Sequence, residues 1–353
     1  MWKIPTKSEF RKNVRLANIG VFARFVRRPV FVKPVNYPGF HNIYVSFVRN
    51  MLHCCLMKGK GYLQMQEIIY YNIGDIVLKI ISDLPYQLPD GNAEDFRIEP
   101  AQEDYTYIFQ KTDDITNYLK NVSLISDVGW ARELINKEGD YIRAFLWKNQ
   151  FFDAVVQLEK KQGKIIYISP DILAERSQKG FNFLNYFCLE RILPFFGGLV
   201  LHSSHIEVYQ KAILFSAPSG TGKSTQADLW QQYAQAKIIN GDRTLLRKKD
   251  NKWYAFGCPM CGTSQIHLQG SEPLYAIVML EQGKRNDLER LKPMEAFSLM
   301  YSQITIPDWD RELILKNMEL LEDIVQNIPV WKYSCTKTPD AVEVLKKALN
   351  IPL

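Results

Sequence analysis

The sequence predicts an α/β protein, α+β in its chain order, with a small β-rich part ahead of a larger part in which strands and helices alternate. Three observations predict it. Short β-branched and aromatic runs broken by turn residues fill positions 66–170, and after 195 similar runs alternate with helix-compatible segments. The apolar run from Ala212 to Ser216 leads directly into a glycine-containing loop and a helix-compatible stretch.

In chain order, the β-rich part shows strand patterns at 68–72, 76–81, 105–109, 141–147 and 165–168. Turn chemistry separates them at Pro89-Asp90-Gly91, Asn136-Lys137-Glu138-Gly139 and Lys161-Gln162-Gly163, which predicts antiparallel pairing. Pro170, Ser177 and Gly180 mark a linker, and the apolar stretch 181–194 reads as a helix opening the next domain. Two strands, 199–209 and 212–216, are joined by Gln210-Lys211, a hairpin spacing. A helix from Ser224 to about Gln235 and a strand over 236–240 follow, the strand ending in Gly241-Asp242. Next come a strand at 273–280, helices at 293–303 and 309–327, and a strand at 329–335. The last helix has Thr338 as N-cap, Pro339 at its first position and Asp340 in its first turn. The expected domains are a basic extension over 1–64, a β-rich domain over 65–175 and an α/β domain over 176–353.

Composition removes several classes. With 46% hydrophobic residues in 353, the chain has ample material for a packed core, which excludes disordered and collagen-like readings. No stretch reaches the roughly 18 consecutive apolar residues of a membrane helix, and the opening residues lack the pattern of a secretory signal. Six irregularly spaced cysteines form no disulfide framework, so a reducing cytoplasm is the expected location. The net charge of +6 is unevenly spread. Residues 1–68 carry twelve Lys or Arg against Glu9 and Glu67, a balance of +10, which leaves 32 basic and 36 acidic residues, a balance of −4, in the rest. Such an extension suits an acidic partner or is a solvated arm without a specific ligand, and nucleic acid is the less favoured partner. Self-association into a homo-oligomer stays open.

The chemistry concentrates at 217–224, Ala-Pro-Ser-Gly-Thr-Gly-Lys-Ser, which fits the Walker A spacing G-x-x-x-x-G-K-[ST] with Ala217 at the first glycine. A glycine-containing loop at a helix N-terminus turns successive N–H groups inward and makes an anion nest reinforced by the helix dipole. Lys223 then reaches the terminal phosphates and the Ser224 hydroxyl ligates Mg²⁺. Ser219, Gly220, Thr221, Gly222, Lys223, Ser224 and Thr225 are the candidate nucleotide-binding residues, and ATP with Mg²⁺ the candidate ligands. Asp242, nineteen residues after Lys223 at the end of an apolar strand, is placed to hold Mg²⁺ or to take a proton from an attacking hydroxyl. The alternative is a turn aspartate in Asn240-Gly241-Asp242. The Asn/Thr-Lys-x-Asp guanine-recognition pattern is missing downstream, which disfavours a GTPase.

Leu201-His202, the hairpin, the loop ending in Gly222-Lys223-Ser224 and the strand ending in Asp242 resemble the kinase domain of the HPr kinase/phosphorylase family, which shares its fold with phosphoenolpyruvate carboxykinase. The resemblance covers 195–250 well and the remainder of the C-terminal part loosely. It implies ATP-dependent, Mg²⁺-assisted phosphorylation of a Ser/Thr hydroxyl on a protein or peptide. It makes Lys223 the phosphate ligand, Ser224 a metal ligand, Asp242 the catalytic and metal-binding carboxylate, and His202 a second polar group of the site. On residue pattern alone, His202 reads as a core histidine rather than a catalytic one, and only the resemblance favours a functional role; His205, on the opposite strand face, reads as structural. The family often carries paired aspartates where this chain has Gly241-Asp242, and the part before 170 differs from its usual N-terminal domain. That points away from HPr toward other peptides, as in HPr-kinase-like proteins associated with modified-peptide biosynthesis. The alternatives are a nucleotide-binding accessory protein without phosphotransfer and a small-molecule kinase acting on a free serine-type metabolite.

Two further features are less specific. Cys258-Pro259-Met260-Cys261 has no second C-x-x-C for zinc and lacks the strand-to-helix setting of a redox motif, so it reads as a restricted loop, which the resemblance implies borders the site. Arg243 and Arg247 read as exposed hairpin charges with Lys248 and Lys249, or as phosphate clamps.

Because residues 1–64 contain no element of the phosphate loop and exposed charge acts over about 8 Å at physiological salt, a chain starting at Met65 is expected to fold and keep nucleotide binding. It should lose only salt-sensitive attachment to an acidic partner. Calorimetry and thermal melting check this, and a much lower melting temperature would make the extension part of the fold.

Overall fold

The computed structural model describes residues 67–82, 91–148, 150–159, 161–177 and 185–351. The chain divides into two units, Met1–Leu63 and Gln64–Leu353, and every described residue belongs to the second. The basic extension, the turn residues Pro89-Asp90 and the start of the expected helix at 181–194 lie outside the described residues. Among the described residues no helix is long and apolar enough to cross a membrane.

Nine strands form the first sheet: β1 (Glu67–Ile73), β2 (Ile76–Ser82), β3 (Arg97–Ile98), β4 (Tyr105–Lys111), β5 (Ser123–Asp127), β6 (Ala131–Ile135), β7 (Tyr141–Trp147), β8 (Phe151–Leu158) and β9 (Gln162–Tyr167). Their order is β3-β1-β2-β4-β9-β8-β7-β6-β5. The expected antiparallel pairing is corrected: β4 runs parallel to both β2 and β9, so the sheet is mixed. The sequence pattern also missed β6 and β8, because Glu133 and Asp153 interrupt their apolar runs although both side chains are buried.

Helix α1 (Pro170–Ser177) follows. The single helix expected over 181–194 is interrupted among the described residues there: 185–187 are helical and the helix breaks at Cys188. Instead a short α2 (Leu189–Ile192) passes into a 3-10 turn (Leu193–Phe196), with Cys188 in the left-handed region at φ 45° before it and Gly197 at φ 70° after it. Pro194 brings no N–H to continue the ladder.

The second sheet holds eight strands: β10 (Gly198–Val208), β11 (Lys211–Ser216), β12 (Lys237–Asn240), β13 (Arg243–Lys249), β14 (Lys252–Phe256), β15 (Ser271–Gln282), β16 (Asp287–Arg290) and β17 (Val330–Cys335). Helices α3 (Lys223–Ala234), α4 (Pro293–Tyr301), α5 (Arg311–Asn327) and α6 (Pro339–Ala348) complete it. The β10–β11 hairpin turns on Tyr209-Gln210, both at positive φ, one residue earlier than the sequence spacing suggested. Strands β11, β15 and β17 run parallel side by side. Ile213, Phe215, Ala276 and Val278 pack with α3 and α6, while Ala212, Leu214, Ile277 and Met279 pack with α4 and α5. This two-faced burial explains why β11 and β15 read as unbroken apolar runs.

The two sheets share a core in which Ile73, Ile76 and Tyr107 meet Leu189, Val200, Leu245 and Phe256. Arg247 donates to the carbonyl oxygens of Gly74, Asp75 and Phe196, tying the β1–β2 turn to β13. Its expected place among exposed hairpin charges is therefore corrected. Lys248 and Lys249 are also engaged, by Asp323 and Asp75.

Arg143 is the other tie. Its guanidinium reaches Glu133 Oε1 at 2.6 Å, Glu190 Oε1 at 2.7 Å and the Asn185 carbonyl at 3.2 Å, joining β6 and β7 to the start of α2. Replacing it strands two buried carboxylates. Arg143→Met is expected to cost about 3–5 kcal/mol in chemical denaturation, and a loss below about 1 kcal/mol would show that the cluster is dispensable.

Candidate functional site

The site grows from the way β10 is shared. Its first half pairs with β13, ending in His202 opposite Arg243, and its second half pairs with β12 up to Asn240. The chain therefore leaves β12 and rejoins the same neighbour as β13, and Gly241-Asp242 bridges the gap. Ser203 N donates to the Asp242 carbonyl at 3.0 Å and Ser204 Oγ to that of Gly241 at 2.9 Å, fixing the crossing. Ser216 Oγ, at the end of β11, donates to the His202 carbonyl at 2.8 Å. The three chain segments that carry Lys223, His202 and Asp242 are thus bonded to one another through the strands before them.

The loop 217–222 joins β11 directly to α3. Gly220 and Gly222 sit at φ 80° and 122°, and a Cβ on either would meet nothing within 4 Å. Backbone conformation demands glycine there, and the space before it is open. No side chain caps α3, which leaves its first-turn N–H groups available to an anion. Lys223 Nζ donates to the carbonyl oxygens of Ala217 at 2.9 Å and Pro218 at 3.5 Å. Ser224 is exposed on the first turn and Thr225 half-buried.

His202 Nε2 lies 3.2 Å from Asp242 Oδ1, and Arg243 Nε 3.3 Å from Asp242 Oδ2. The hydrogen bond from His202 holds the Asp242 carboxyl below the usual carboxylate range; burial opposes this, and the charges of Arg243 and Lys223 support it. Burial lowers the Lys223 ammonium from its ordinary value, while the nearby Asp242 charge works the other way. The arrangement is one carboxylate among three basic side chains, suited to keeping the carboxylate ionised and to receiving a phosphate.

Sequence reasoning missed one member, Asn240, and left another, Arg243, between an exposed hairpin charge and a phosphate clamp. Arg243 points into the cluster with 20% of its side chain exposed, and its Nη1 donates to Thr305 Oγ1 at 2.9 Å, so its expected place as an exposed hairpin charge is corrected. Asn240, fully buried, accepts from the Asp242 and Arg243 amides at 2.9 Å each and donates to the carbonyls of Cys258 at 3.0 Å and Met260 at 2.9 Å. The only signal available in sequence was its place in an Asn-Gly-Asp turn.

The C-x-x-C segment is held here. Cys258 Sγ donates to the Arg243 carbonyl and Cys261 Sγ accepts from Asn92 Nδ2. Burial pushes the Cys258 thiol up to about 12, which keeps it protonated and unreactive. Among the described residues no group of three or more His, Cys, Asp or Glu stands ready for a metal. A Mg²⁺ held by Ser224 and Asp242 would take its other oxygens from phosphate and water, as this ion commonly does. His205 is fully buried with Nε2 3.2 Å from Glu272 Oε2, away from the cluster.

The titration of Asp242 tests this geometry. Its folded-state value is the depressed one, so the stability it contributes is present above the unfolded carboxylate range and lost as pH falls through the folded value. His202→Ala is expected to raise the Asp242 value, so that the loss begins at higher pH. Carboxyl-carbon NMR titration reads this, and an unmoved Asp242 resonance would remove His202 as its partner.

No family model and no curated protein matches the chain. Among solved structures it is similar to the HPr(Ser) kinase/phosphatase from Coxiella burnetii, with 8% identity over 43% of this chain and 96% of that one and a TM-score of 0.27. A likeness this slight shows neither a shared fold nor a shared activity.

Proposed function

We propose that the chain is an ATP- and Mg²⁺-dependent kinase of the HPr-kinase-like, phosphoenolpyruvate-carboxykinase-fold kind, transferring phosphate to a Ser/Thr hydroxyl of a protein or peptide. The observation that carries the reading is the meeting of a Walker A loop with an ionised carboxylate. Asp242 sits against His202 while its charge bears on Lys223 at the base of that loop. A phosphate-binding loop alone would serve any nucleotide-dependent protein. A carboxylate beside it adds the group that phosphoryl transfer to a hydroxyl needs.

Each residue has a defined task. The loop amides and Lys223 bind and orient the phosphates, with the ammonium leaving the carbonyls of Ala217 and Pro218 to do so. Ser224 and Asp242 would hold Mg²⁺, which supplies charge neutralisation between the phosphates. Asp242 accepts the proton of the attacking hydroxyl as its oxygen bonds to the γ-phosphorus and the bond to the leaving diphosphate breaks. His202 donates to Asp242, keeping it deprotonated and aimed. Arg243 adds positive charge on the same side.

Lys223→Ala is expected to weaken ATP binding by one to two decades in calorimetry, since a charged hydrogen bond contributes about 1.5–3 kcal/mol. Asp242→Asn should still bind ATP while losing transfer of labelled phosphate to Ser/Thr peptides. A wild-type chain that binds ATP but labels neither peptide hydroxyls nor free serine would favour a non-transferring accessory role. Labelling of free serine alone would make it a small-molecule kinase.

A further inference from the structure

A cavity of about 400 Å³ lies at the end of the second sheet opposite the phosphate loop. The loop leaves β11 at Ser216, which pairs in parallel with Met279 of β15. The cavity instead borders Leu274 and Tyr275 near the start of β15 and Pro329 and Trp331 at the start of β17. About 16 Å of strand separates Leu274 from Met279, so the two places share no side chain. The C-terminal ends of α5 and α6 close the space.

Its wall is held together by specific bonds. Tyr275 Oη donates to the Leu349 carbonyl at 2.8 Å, tying the end of α6 to β15, and Lys211 Nζ stands 3.9 Å from the centroid of the Tyr275 ring. Two donors beside this wall lack acceptors. The indole N–H of Trp331 is buried without a hydrogen-bond partner, and buried donors in native proteins are rarely left so. Arg290 is exposed, and among the described residues its guanidinium has no ion-pair partner. The two are neighbours by register. Arg290 stands directly opposite Trp331 in the antiparallel pair β16–β17, so both side chains rise from the face that packs on α6.

These groups select a ligand chemistry. Among the described residues no Asp or Glu lines the cavity, so a guanidinium and an N–H side by side call for an anionic oxygen pair. Leu274, Tyr275, Pro329 and the Trp331 ring are apolar or aromatic and suit a hydrocarbon body. The ends of α5 and α6 limit the charge. Each helix C-terminus carries roughly half a negative elementary charge, which opposes a dianion such as phosphate but leaves room for one carboxylate. The volume is that of a small-molecule site.

We infer that this cavity binds a small aromatic monocarboxylate, its carboxylate bridging the Arg290 guanidinium and the Trp331 indole N–H. The inference is independent of the reading of 217–224. Its test titrates benzoate, benzamide and inorganic phosphate into the full ¹⁵N-labelled chain and follows the Trp331 indole N–H resonance, identified by its loss in Trp331→Phe. Equilibrium dialysis of labelled benzoate supplies the affinity without that variant. Benzoate shifts the resonance saturably, phosphate leaves it in place, and benzamide, of the same size but uncharged, binds about tenfold more weakly. Arg290→Gln, at an exposed position, weakens benzoate binding by about the same factor and leaves benzamide binding unchanged. Absence of saturable benzoate binding to the wild type overturns the inference, as does equal affinity for benzoate and benzamide or wild-type benzoate affinity in Arg290→Gln. A phosphate shift as large as that of benzoate overturns the monocarboxylate class.

Discussion

The buried amide of Asn240 is the interaction on which the site depends. An asparagine side chain offers two acceptor sites and two donor hydrogens, and here all are engaged: the acceptors by the amides of Asp242 and Arg243, the donors by the carbonyls of Cys258 and Met260. One fully buried group therefore fixes both the strand crossing that aims Asp242 and the loop that lies over it. The close fit of that loop follows from the same anchoring. A Cβ on Gly262 would stand 2.9 Å from Asp242 Cβ, and one on Gly257 would run into the Leu268 carbonyl at 1.9 Å. Removing a single partner from such a network leaves the others buried and unpaired, which is why the network holds as a unit.

What the sequence disclosed was what is local. Gly220, Gly222, Lys223 and Ser224 lie within five residues, and the geometry they need is set by the backbone of one loop and one helix start. The alternation of strands and helices after 195 was likewise readable, because each face of β11 and β15 is apolar for its own reason. Asn240 was not readable, and Arg243 was readable only as one of two alternatives, exposed charge or phosphate clamp. Their roles come from Thr305, Cys258 and Met260, partners 62, 18 and 20 residues away, and no local pattern distinguishes such residues from those of a charged hairpin or a tight turn.

The failures elsewhere have the same origin. The stretch 181–194 has helical composition, but Cys188 enters the left-handed region and the segment breaks where Phe187 and Leu189 join the core between the sheets. Tertiary burial outweighs propensity there. Glu133 broke the strand pattern of β6 because its carboxylate is inside, held by Arg143. A buried charge looks like a surface residue in sequence, and only its partner, ten residues away, reveals otherwise.

Charge around the loop gives the site a polarity that the fold alone would not. The charge of Asp242 bears on Lys223, whose ammonium is bonded to the carbonyls of Ala217 and Pro218. Arg243 adds positive charge on the same flank and His202 donates to Asp242, while the flank toward β15 and β17 carries hydroxyl, amide and thiol groups together with Lys337. The negative charge of Asp242 is set against the hydrogen bond from His202 and the charges of Arg243 and Lys223, so burial alone does not decide its state.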